Sequence, residues 1–203
     1  MPKAVLLSVQ PKWCELIASG KKTVEVRKTR PKVETPFKCY IYCTQKGVPN
    51  RWFDETKHGK VIGEFVCDAV DRMAHCGTCN SDIRLKLVDK NLYCKELDYA
   101  YLNKCQLSYF DINEYSNGGD VYGWHISNLI IYDKPKELSE FVTVDNEAVK
   151  NCEYRERIYN NPDFTNGAML LGSYLCNDKM NWCEKCKMKP LKIPPQSWCY
   201  VEG

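Results

Sequence analysis

Apolar and polar positions alternate with a period of two along much of this chain, which predicts a fold built largely from β-strands. Residues 4–9 form a short apolar run that reads as the first strand. Residues 11–19 break the alternation with helical spacing: Pro11 suits a first helical turn, and Gly20 suits a left-handed residue at the helix end. The period then returns to two. In the stretch Gly20-Lys21-Lys22-Thr23-Val24-Glu25-Val26-Arg27, Val24 and Val26 fall on one strand face, while Thr23, Glu25 and Arg27 fall on the other. The valines are expected in a core and the polar trio in a cleft or in solvent, with Lys22 reaching toward the same opening.

The alternation resumes in residues 37–44, rich in β-branched and aromatic side chains, and in residues 60–73, a long strand that Gly63 is expected to bend. Residues 83–88 read as a strand or an irregular excursion, and residues 97–105 as a weak helix. Ser108 is an N-cap candidate with Asp111 three residues later, opening a short helix that ends at Gly118-Gly119. Residues 122–126 and 129–132 are two strands or one interrupted strand, ended by Lys134-Pro135 and followed by a docking turn over 137–141. In this strand Trp124 is expected inside and His125 partly exposed, where a catalytic role is open to it. Beyond Val142, Asn-Pro and Asn-Gly dipeptides and Pro194-Pro195 predict a loop-rich tail.

Composition narrows the class. The chain has 203 residues, 44% hydrophobic and 27% charged, enough for one elaborated domain with a real core and wrong for a disordered protein. No apolar run approaches the roughly 20 residues of a spanning helix. Without a secretory pattern at its start, the chain is expected in the cytoplasm and away from membranes.

The net charge of +3 hides an asymmetry. Residues 1–60 carry 13 Lys/Arg against 5 Asp/Glu, a balance of +8, so the rest carries −5. A basic half points to an anionic ligand such as RNA, a nucleotide or nucleoside phosphate, and a solvated lysine-rich surface is the plainer alternative. Lys21, Lys22, Arg27, Lys28 and Arg51 are the candidate phosphate contacts. Trp52, beside Arg51 in a loop, either stacks a base or packs that loop down. Trp13 shares a helix face with Leu16 and Ile17, which favours core packing.

Thirteen cysteines, an odd number, argue against a complete disulfide framework. Cys183-x-x-Cys186, flanked by Cys176 and Cys199, has spacing suited to tetrahedral zinc in a tail with little core of its own. Cys76-x-x-Cys79 beside His75 offers a split site with Cys183 and Cys186, and the absence of any metal is the third possibility. Cys39, Cys43 and Cys67 read as core or barrel-wall residues.

The pattern Gly20-x-Lys22-x-x-Glu25-x-Arg27 resembles the signature of the ASCH family, a branch of the PUA-like superfamily. Ser8-Val9-Gln10-Pro11-Lys12-Trp13 resembles that family's strand-to-helix entry, Gly59-Lys60-Val61-Ile62-Gly63-Glu64-Phe65 its central strand, and residues 124–141 its closing strand. The resemblance implies an α+β fold: a small mixed PUA-like β-barrel with flanking helices over residues 1–142, with an insertion at about 71–120. A loop-rich, cysteine-containing extension over 143–203 would pack on the barrel.

The resemblance also implies a cleft lined by the motif and suited to RNA or a modified nucleoside, so the expected function is RNA or nucleotide binding. The alternative is hydrolysis of a modified nucleoside or of RNA. Some relatives are amidohydrolases in which a lysine aligned with Lys22 activates a threonine three residues later, a position held here by Glu25. Hydrolysis in this chain would instead use Lys22 as base, Glu25 to activate water and Glu64 as the carboxylate from a separate strand.

Overall fold

A computed structural model describes residues 3–45, 55–75, 84–143 and 191–202. It is a mixed α+β fold. Strand β1 (Lys3–Val9) leads into helix α1 (Pro11–Ala18), then β2 (Val24–Arg27) and β3 (Phe37–Cys43). The long strand β4 (Lys60–His75) is followed by β5 (Leu85–Val88), β6 (Cys94–Glu96), α2 (Tyr99–Cys105) and α3 (Tyr109–Ser116). A second long strand, β7 (Val121–Glu137), precedes β8 (Trp198–Glu202).

The strands form one sheet in the order β2-β7-β4-β3-β1-β8, with β5 and β6 extending from β4. Among the described strands only β1 and β3 pair in parallel, since α1 and β2 cross between them; the other pairings are antiparallel. Where a barrel was expected, the hydrogen-bonded ladder among the described residues is open, with β2 and β8 as its ends. Side chains approach across that opening. Trp198 Nε1 donates to Thr29 Oγ1 at 3.0 Å, and the Lys32 amide donates to the Tyr200 hydroxyl at 2.8 Å.

The main core lies between α1 and one sheet face, where Cys14 and Ile17 meet Val5, Leu7, Ile41, Phe65 and Trp124. Trp124 is fully buried and edge-on to Phe37. A second core joins Val24 and Val26 to Met73, Leu85, Tyr101, Ile112 and Val121, so it packs α2 and α3 onto the sheet's other side. Cys39, Cys43 and Cys67 are buried free thiols, as are Cys14 and Cys105. Cys94, by contrast, is disulfide-bonded.

Three elements depart from the sequence reading. Residues 122–132, expected as two strands or one interrupted strand, form one strand with register shifts, and it runs past Pro135, where an end was expected, to Glu137. The ladder jumps from Gly63↔Ile131 to Val61↔Lys136, so Pro135 sits in an irregular stretch where its missing N–H costs no regular pairing. The helix expected to end at Gly118-Gly119 stops one residue sooner, with Asn117 in the left-handed conformation. Part of the tail is regular: β8 pairs antiparallel with β1, from Lys3↔Glu202 to Leu7↔Trp198.

Candidate nucleic-acid interface

The helix stop at Gly20 sets the geometry of the charged motif. Gly20 has φ +71, its amide donates to Ile17 O, and the Lys22 amide returns to Leu16 O, so the chain leaves α1 in a tight turn. Lys21 and Thr23 point to solvent and Lys22 points inward. In β2, Glu25 lies opposite Trp124 and Arg27 opposite Tyr122. Both therefore share the face of the main core, and Val24 and Val26 take the second core.

The polar face expected to line an open cleft is buried. Lys22 is 2%, Glu25 5% and Arg27 8% exposed. Lys22 Nζ stands 3.4 Å from Glu25 Oε2, and Arg27 Nη2 stands 3.0 Å from Glu25 Oε1, so one carboxylate bridges two cations. Backbone carbonyls replace water around the cations: Lys22 Nζ donates to Cys105 O and Arg27 Nη2 to Ser8 O, both at 2.5 Å. Lys22 Nζ also lies 4.9 Å from the Trp13 ring centre, and Lys12 Nζ lies 4.6 Å from the same ring. Two other buried N–H groups on this face, Arg27 Nε and Trp124 Nε1, have no acceptor among the described residues.

The Cys105 contact explains why Lys22 is held there. A helix leaves its last carbonyls without intrahelical donors. At the end of α2, Gln106 is left-handed; its amide bonds Asn103 O, and the Leu107 amide bonds Leu102 O. The next two carbonyls are served by the motif, Lys104 O by the Thr23 amide at 3.0 Å and Cys105 O by Lys22 Nζ. The motif turn is thus half of the α2 cap.

Glu64 does not join this group. It faces the side opposite Phe65, pairs with Lys38 at 3.0 Å and accepts from the Tyr132 hydroxyl at 2.5 Å. Burial works to raise its pKa, but the Tyr132 and Lys38 contacts hold its carboxyl below the usual range. Lys22, Glu25 and Glu64 therefore do not assemble into one acid–base site.

Lys28 is exposed, as are Lys12, Arg30 and Lys32, which the sequence reading left out of its contacts. Arg51 and Trp52 lie outside the described residues, as do Cys176, Cys183 and Cys186. Cys199, on β8, packs toward Leu6 and Val201, and burial pushes its thiol up to about 11. Among the described residues no group of three metal-ligating side chains gathers.

A polar cluster under α2 joins His125, a candidate in the sequence, to Asp71, which was not one. His125 Nε2 is 2.7 Å from Asp71 Oδ2, joining β7 to β4, and the Tyr101 ring centre is 6.4 Å from that of His125. The hydrogen bond to Asp71 raises the His125 pKa against its partial burial. Burial works the other way on Asp71, where the His125 contact prevails and lowers the carboxyl. His125 carried a signal in the sequence; Asp71, 54 residues away, carried none.

This arrangement defines a mixed α+β domain organised on a buried Lys-Glu-Arg motif in which one carboxylate bridges two cations. Residues 7–85 match the family model described as ASCH domain. Comparison with curated proteins finds no match. Similar solved structures are forms of one ASCH protein from Zymomonas mobilis. One point variant is 20% identical, covering 74% of this chain and 84% of its own, with a TM-score of 0.46. The form titled simply ASCH is 19% identical over 74% and 81%, at 0.45. A second point variant is 18% identical over 98% and 88%, at 0.49. No helix among the described residues is long and apolar enough to cross a membrane.

Proposed function

We propose that this chain is an RNA- or nucleotide-binding protein whose phosphate contacts are Lys21 and Lys28 together with Lys12, Arg30 and Lys32. The observation that carries this reading is the division of labour among the cations of the motif region. Lys22 and Arg27 are consumed by Glu25 and by backbone carbonyls, whereas these five face water. Solvated cations bind phosphate without the cost of breaking a buried pair. Arg51 and Trp52 belong to the same reading by residue type alone.

The half-buried Trp13, with Lys12 and Lys22 at its ring, supplies an aromatic among these cations. Fluorescence polarisation with labelled RNA oligonucleotides and nucleotides at low salt tests the proposal. Saturable binding is expected, and a flat isotherm across all of them contradicts it.

A further inference from the structure

We infer that helix α3 extends the proposed surface into a platform for single-stranded RNA, with Tyr115 stacking a base while Lys28 holds the neighbouring phosphate. This rests on the RNA-binding reading above and adds to it an element outside the matched segment. One contact and one longer-range charge effect tie α3 to the basic stretch. Lys28 Nζ lies 5.1 Å from the centre of the Tyr115 ring, and that ring's residue remains 40% exposed. At the other end of the helix, Asp111 lies within the field of Lys12. The Asp111 carboxyl is held below its ordinary range first by its Ser108 hydrogen bonds, with Lys12 adding to them.

The local charge is mixed: α3 carries Asp111 and the exposed Glu114 beside Tyr115, and the cations come from the neighbouring basic stretch. Asp111 is engaged by the Ser108 amide and hydroxyl in a capping box, and Asp120 by Arg72 at 2.7 Å. Lys28, Lys12 and Arg30 remain exposed. Alternating cations and exposed aromatic rings are how proteins track a single strand, because each unpaired base offers a face to stack and each linkage a charge. A duplex keeps its bases stacked on each other and cannot use Tyr115 in this way.

The test measures affinity of the full chain for a fluorescein-labelled oligouridine and for a blunt RNA duplex, as wild type, Tyr115→Ala, Tyr115→Phe and Lys28→Ala. Circular dichroism confirms that each variant is folded. Tyr115→Ala should weaken oligouridine binding about tenfold and leave its salt dependence unchanged, since stacking releases no counterions. Tyr115→Phe should restore affinity, and Lys28→Ala should make the salt dependence shallower. Duplex binding should not respond to Tyr115→Ala.

Oligouridine binding that is equal in wild type and Tyr115→Ala would overturn the inference and leave the proposed function standing. Equal loss for oligouridine and duplex would overturn it as well. Failure of wild type to bind either RNA would overturn both.

Discussion

Lys22 does chemical work inside the fold that its place in a charged motif does not reveal. Its ammonium donates to Cys105 O and faces Glu25 in surroundings nearly closed to water. Lys22→Met keeps most of the apolar stem and removes the charge, leaving that carbonyl without this donor and Glu25 with Arg27 alone. Thermal and urea unfolding should show a loss of about 3 kcal/mol, the scale of breaking a buried pair. Lys21→Met, on the exposed side of the same turn, should change stability by less than about 0.5 kcal/mol. The Gly-x-Lys-x-x-Glu-x-Arg spacing was legible in the sequence, but the partner 83 residues away was not. Alternation told which side chains share a face, and the packing of α1 on that face decides that it is closed.

His125 and Asp71 give the residue scale a pH signature. The folded state raises the His125 pKa, so its contribution is complete below the ordinary histidine value of about 6.5 and is lost as pH rises through the folded value. Asp71 is lowered, so its contribution is complete above about 3.9 and is lost as pH falls through its folded value. The pair therefore stabilises most between about pH 4 and 6.5. His125→Gln should flatten the alkaline side of the stability profile measured by urea unfolding. An unchanged profile would show that the pair contributes nothing measurable.

At the scale of elements, α2 holds the motif and the insertion together. One end is capped by the Lys22-Thr23 turn, and near the other Tyr101 presses its hydroxyl against β7 at Gly123. A Cβ at Gly123 would fall 2.2 Å from Tyr101 Oη and 2.9 Å from Val24 Cγ1. Gly123→Ala should cost about 2 kcal/mol through this overpacking and speed hydrogen exchange of the Thr23 amide, which α2 protects. Exchange equal to wild type would separate the two contacts. Helix α3 was readable from its Ser108-Asp111 box, and α2 only weakly from its spacing. Strand β8 was not, because five residues after Pro194-Pro195 offer little local signal and gain their conformation only from the edge of β1.

For the whole molecule, two facts set what a ligand meets. The sheet ladder is open between β2 and β8, bridged by Trp198 and Tyr200 to the basic loop carrying Thr29 and Lys32. Part of the excess charge of residues 1–60 is carried outward by that loop and by Lys21, while Lys22 and Arg27 are engaged within the fold. The charge asymmetry was visible from composition; its division into buried and solvated parts required the packing. The measurement that bears most directly on the RNA-binding account is the slope of log K against log salt for oligouridine. Wild type should show a steep negative slope, and Lys21→Ala with Lys28→Ala should make it shallower by about 0.7 per lost contact. Binding that does not change with salt, or a slope identical in the double variant, would contradict the account.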